Sequence, residues 1–80
     1  MIQVEIQYFA VLREQAGRAQ ESRETAAANP AELYEEVRQA YSLAFPRAML
    51  KVAINDEFCD WTQALRPGDR VVFIPPVAGG

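Results

Sequence analysis

The sequence predicts an α+β domain, a mixed sheet of about five strands packed on one main helix. Three observations carry that prediction. Ile2, Val4, Ile6 and Tyr8 alternate with Gln3, Glu5 and Gln7, the period-two pattern of a strand with one buried face. Asn29-Pro30-Ala31-Glu32 opens an amphipathic stretch with the residues of a helix start. Near the end of the chain, Val71-Val72-Phe73-Ile74 is apolar at consecutive positions, which suits a strand covered on both faces rather than a sheet edge.

After the first strand the period switches. Phe9, Leu12 and Ala16 fall on one helical face, and Gly17 supplies a left-handed stop. This predicts a short extra helix after the first strand. Residues 18–26 alternate weakly and are rich in charge, so a strand there is expected to be a short edge strand protected by its polarity. In the main helix Asn29 caps, Pro30 suits the first position and Glu32 bonds back to the cap backbone. Leu33, Val37, Ala40 and Tyr41 form its apolar stripe, ending near Ser42. Glu32, Glu35 and Glu36 read as a solvated face in the half of the helix where the dipole favours negative charge. Beyond Phe45-Pro46, Lys51-Val52-Ala53-Ile54 reads as a buried strand that turns at Asn55-Asp56-Glu57 into Phe58-Cys59-Asp60. Trp61 and Leu65 close one end of the core, Pro67-Gly68 has type II turn residues, and the last strand begins at Arg70, beside the first.

Composition narrows the function. Eighty residues are expected to form a single domain, 1–80, with residues 75–80 as a flexible C-terminal tail. Eight basic residues against eleven acidic ones give a net charge of −3, which opposes nucleic-acid binding. There is no histidine and one cysteine, so zinc and iron–sulfur sites, a disulfide and a Cys-His nucleophile all lack partners. No metal site, membrane span or export signal is expected, and a lone thiol fits the cytoplasm. Cys59 reads as a small buried hydrophobe.

The chain ends in Pro75-Pro76-Val77-Ala78-Gly79-Gly80. Proline holds backbone extended, and Gly79 and Gly80, lacking Cβ atoms, can thread a channel too narrow for side chains. Residues 75–80 reach at most about 20 Å beyond Ile74. The expectation is a tail that presents the Gly80 carboxylate to another protein's active site.

The blocks Phe9-Ala10-Val11-Leu12-Arg13-Glu14, Ala53-Ile54-Asn55 and Leu65-Arg66-Pro67-Gly68-Asp69-Arg70-Val71, followed by Phe73-Ile74 and the tail, resemble the MoaD-like sulfur carriers, the small subunit of molybdopterin synthase. The resemblance runs end to end, although residues 18–31 show no family pattern. It implies a ubiquitin-like β-grasp fold and a carrier that is no enzyme alone. Such a carrier binds no cofactor itself. An ATP-dependent adenylating and sulfurating enzyme activates Gly80, a thiocarboxylate forms, and the large subunit uses its sulfur to build the molybdenum cofactor in a two-plus-two heterotetramer. The resemblance also implies docking through apolar residues around the tail base. Phe9, Phe58 and Ile74 are candidates, each open to a core or an interface reading. Arg13 could hold the tail or a partner carboxylate, or be simply solvated. Carriers for thiazole, thiolated tRNA or a tungsten cofactor, a ubiquitin-like protein modifier and a plain interaction module remain alternatives.

Overall fold

The alternation of the first segment becomes strand β1 (Ile2–Tyr8), with Val4, Ile6 and Tyr8 buried. The computed structural model describes residues 1–76. Helix α1 (Ala10–Ala16) and strand β2 (Gln20–Thr25) follow, then helix α2 (Pro30–Tyr41) and a 3₁₀ turn (Arg47–Met49). Strands β3 (Lys51–Ile54), β4 (Glu57–Phe58) and β5 (Arg70–Ile74) complete the fold. Among the described residues the strands form one five-stranded mixed sheet in the order β2-β1-β5-β3-β4. This is the β-grasp architecture.

Strand β5 is interior, as its two-sided apolarity requires. It runs parallel to β1, pairing Glu5 with Arg70 through Tyr8 with Phe73, and antiparallel to β3, pairing Lys51 with Ile74 through Ile54 with Val71. Both turns that aim these strands use left-handed backbone. Asn55 and Asp56 have φ of 52° and 72°, the type I′ geometry that matches strand twist in a tight hairpin. Gly68, at φ 85°, sits where a type II turn needs positive φ, and the Asp69 N–H donates to the Arg66 carbonyl at 3.1 Å.

Helix α2 starts where its cap residues place it. The Asn29 side chain accepts from the Glu32 N–H at 2.9 Å. Glu32 reaches back as a capping box requires, but to the N–H of Ala28, one residue ahead of the cap. The apolar stripe differs from expectation at two positions. Ala40 is exposed, whereas Tyr34 is buried with Pro30, Leu33 and Val37. A methyl group on the last turn is too short to reach the sheet; Tyr34 and Tyr41 are long enough. Tyr34 packs edge-on to Phe73 at 5.1 Å and near Trp61, which stacks on Phe73. Its hydroxyl donates to the Phe45 carbonyl at 2.6 Å, satisfying a polar atom that burial would otherwise penalise.

The 18–26 region does form the edge strand, and its inward face is polar. Glu21, Arg23 and Thr25 point toward α2. Tyr41 donates to Glu21, Arg23 spans Glu21 at 3.2 Å and Glu36 at 2.8 Å, and Thr25 donates to Glu36 at 2.8 Å.

This packing sets the cost of two core substitutions and the response to alkaline pH. Tyr34→Phe should lose about 1 kcal/mol with the hydroxyl's bond, and Leu33→Ala about 2–5 kcal/mol with a filled core volume. Urea midpoints at constant m check both. The second prediction concerns alkaline pH. Burial first, and then the negative charge of Glu21, push the Tyr8 phenol far above its ordinary range; burial also raises Tyr34 and Tyr41. A raised folded pKa gives stability that is complete below the unfolded value, about 10, and lost as pH climbs toward the folded one. Stability should therefore be level near neutrality and fall most steeply above about pH 10, with a shallower fall in Tyr8→Phe. An equally steep fall in that variant would contradict the assignment.

Candidate docking face and tail base

Period two sorts β5 into two sets. Val71 and Phe73 enter the core; Val72 and Ile74 face away from the helix. The registers align Gln7, Val72, Ala53 and Phe58 in one row across β1, β5, β3 and β4. Ile74 sits opposite Lys51. Val72 and Ala53 are covered, at 6% and 7% exposure, yet stand outside the core cluster. Phe58 is 70% exposed, with the Lys51 ammonium 5.8 Å from its ring centroid.

The outer face is thus divided. On β5, β3 and β4 it is apolar, with Lys51 at its border. On β1 and β2 it is polar and internally satisfied: Gln3 donates to Ser22 at 2.6 Å, and Ser22 to Glu5 at 2.6 Å. Exposed Phe58 thus lies on the face of the sheet that borders the end of β5, where Pro75 follows Ile74.

Parallel pairing of β1 with β5 places Phe9, which follows Tyr8, at the same end of the sheet as Ile74. Phe9 is 45% exposed. It does not join Leu12 and Ala16 on the apolar face of α1, because it precedes the helix as its extended N-cap residue, with φ −115°. Ala10, the first helical residue, has φ 51°, a strained region for a residue with a Cβ. Ile74 is half-buried, Pro75 buried and Pro76 exposed. Of the open candidates, Phe58 and Phe9 are on the surface and Ile74 lies between surface and core. Arg13 is exposed in the last turn of α1, where its charge complements the helix dipole. Val77, Ala78, Gly79 and Gly80 lie outside the described residues.

The opposite end of β5 is locked by polar groups. Asn55 exchanges two bonds with Arg70, its N–H donating to the Arg70 carbonyl at 2.8 Å and its Oδ1 accepting the Arg70 N–H at 3.0 Å. Asp69 accepts from the Asn55 side chain at 3.0 Å and from the Arg66 N–H at 2.8 Å. The turn is tied to β1 by Gly68 N–H to the Gln3 carbonyl at 2.7 Å and Glu5 N–H to the Asp69 carbonyl at 2.9 Å. Sequence reasoning missed the structural role of Asn55 and Asp69, and it missed the row Val72–Ala53–Phe58. Counting by twos from Phe73 would have found Val72, but the cross-strand partners require the register.

Cys59 is half-buried, and its N–H donates to the Val52 carbonyl at 3.2 Å. Burial, and then the charge of Asp60, push its thiol up. That favours the unreactive protonated form over a thiolate. No helix among the described residues is long and apolar enough to cross a membrane.

An exposed anchor should matter little to folding. Phe58→Ala is expected to change stability by less than about 0.5 kcal/mol, the usual range for surface substitutions. A thermal melt showing a loss of several kcal/mol would place Phe58 in the core.

Comparison with known proteins agrees with this geometry. Residues 6–80 match the family described as the ThiS family. A Pyrococcus furiosus protein, provisionally assigned as molybdopterin converting factor subunit 1, is similar in structure at TM-score 0.80 and 25% identity, over 96% of this chain and all (100%) of that one. The Haloferax volcanii small archaeal modifier protein 1 has the same fold at TM-score 0.81 and 23% identity, over 96% of this chain and 100% of its own. The complex of molybdopterin-converting factor subunits 1 and 2 from Helicobacter pylori contains a chain matching at TM-score 0.69 and 24% identity, over 99% of this chain and 100% of that chain. With the β-grasp fold and a family match running from β1 to Gly80, the chain belongs to the ThiS family, the small ubiquitin-like carriers of the ThiS/MoaD type.

Proposed function

We propose that this chain is the sulfur-carrying subunit of a molybdopterin synthase. The observation that carries the reading is the apolar half of the outer sheet face, Val72, Ala53 and exposed Phe58, adjoining the end of β5 from which Pro75 through Gly80 continue. The likeness to the P. furiosus protein supports it, as does the subunit complex of the H. pylori relative.

In this reading the carrier performs no catalysis by itself. An activating enzyme joins the Gly80 carboxylate to AMP, because a carboxylate is a poor electrophile until it holds a good leaving group. Sulfide from a donor displaces AMP, and the thiocarboxylate's soft sulfur then attacks the pterin precursor within a large subunit. ATP is consumed by the partner, and the carrier holds no cofactor. Phe58, Phe9 and Ile74 dock, Arg13 serves a partner carboxylate, and Pro75-Pro76-Val77-Ala78 spaces Gly79-Gly80 into the partner's channel. The two-plus-two heterotetramer, the cytoplasmic location and the organisation as one domain with a tail at 75–80 belong to the same proposal. The fold shared with the H. volcanii modifier favours one second reading, conjugation of Gly80 to target proteins.

Intact mass after incubation with an activating enzyme, ATP and a sulfur donor is the test. The expected product gains the mass difference of sulfur for oxygen at Gly80, and deletion of Gly80 or addition of one residue abolishes it without loss of fold. Isopeptide adducts in place of that shift would favour the modifier. Normal thiocarboxylate formation by the deletion variant would sink the carrier reading. Docking is expected to weaken about thirtyfold in Phe58→Asp, as for an interface anchor worth about 2 kcal/mol. Titration calorimetry with a large subunit measures it.

A further inference from the structure

The chain has eight basic residues, and seven of them are arginine: Arg13, Arg18, Arg23, Arg38, Arg47, Arg66 and Arg70. Lys51 is therefore the only side-chain amine in the sequence. Arginine stays protonated and is a poor acyl acceptor at neutral pH; a lysine that has lost its proton is a good nucleophile. Any acyl transfer to a side-chain nitrogen of this protein converges on Lys51.

The position of that amine is distinctive. Lys51 is exposed, makes no salt bridge among the described residues, and sits opposite Ile74 across the β3–β5 pair. Its ammonium lies over Phe58, the most exposed part of the apolar half-face. An acyl group on Lys51 would thus stand on the surface assigned to docking.

We propose that Lys51 is a conjugation site of this protein, accepting the activated Gly80 carboxylate of a second copy, and that the adduct closes the docking half-face of the acceptor. This rests on the activation of Gly80 argued above. The step needs no further reactant. The neutral Nζ attacks the carbonyl carbon of the Gly80 acyl adenylate, and an N–C bond forms as the C–O bond to AMP breaks. AMP leaves with the electron pair, and the nitrogen releases its proton to water. Without sulfide to divert the adenylate, the amine is its competing nucleophile. The acceptor copy keeps its own Gly80 but can no longer present it, since the attached copy covers Phe58 and Ile74.

The experiment uses full-length chain, an adenylating enzyme and ATP, with no sulfur donor. Hydroxylamine trapping of Gly80 as its hydroxamate is run in parallel. The expected result is a two-copy adduct whose peptide map joins Gly80 to Lys51. Lys51→Arg, a conservative exposed change, should give hydroxamate at the wild-type rate and no adduct. Purified adduct returned to enzyme and ATP should release no pyrophosphate, the product of Gly80 adenylation. Absence of hydroxamate from the wild type overturns the activation reading, and this inference with it. Hydroxamate without adduct, adduct in Lys51→Arg, or a linkage elsewhere overturns the assignment of Lys51 alone. Pyrophosphate release from purified adduct overturns closure of the half-face.

Discussion

The parallel pairing of β1 with β5 is the constraint on which the remaining structure depends. Parallel strands cannot be joined by a tight turn. The chain between Tyr8 and Arg70 must therefore cross over the sheet, laying β2 beside β1 before the crossing and β3 and β4 on the far side of β5 after it. Helix α2 makes that crossing, and Leu33, Tyr34 and Val37 bury against β1 and β5. The returning chain is held at the point of entry by Gly68 and Asp69 bonding to Gln3 and Glu5. With β1 on one side and β3 on the other, β5 has no free edge, and whatever follows Ile74 departs from the best-supported strand in the sheet.

The β2 edge is handled differently. A sheet edge invites pairing with another chain, and inward-pointing charge is one way proteins discourage it. Glu21 and Arg23 occupy that inward face, and their partners are on α2 or its last turn: Glu36 and Tyr41. Polar bonds thus do between β2 and α2 what apolar packing does between β1 and α2. Such bonds specify position because a shifted register would leave charged groups without partners. Arg18, over the Tyr41 ring at 5.1 Å, extends the same cluster to the turn before β2.

The outer face of the sheet divides into a polar half on β1 and β2 and an apolar half on β5, β3 and β4. On its β1–β2 half Gln3, Ser22 and Glu5 bond to one another. The β5–β3–β4 half presents Phe58 beside Ala53 and Val72, which are already covered, so covering it releases water chiefly from the Phe58 ring. A few exposed aromatic anchors suffice for such an interface. The described residues include a Cys59 thiol pushed toward its protonated form, a poor nucleophile.

Local sequence determined what local physics can determine. Asn29-Pro30 set the start of α2, Gly68 and Asn55-Asp56 set the turns, alternation set the buried face of β1, and four consecutive apolar residues set β5 in the interior. The resemblance over residues 9–14, 53–55 and 65–80 carried the family. Other features were decided only in three dimensions. Tyr34 is buried and Ala40 exposed because burial depends on what the sheet and its loops place opposite each position as well as on the helical angle. Phe9 left the apolar face of α1 because the helix begins one residue later. The row Gln7–Val72–Ala53–Phe58 and the pairing of Lys51 with Ile74 depend on register between strands far apart in sequence. Periodicity says which side of its own strand a residue occupies; only the pairing of distant strands says which residues it stands beside.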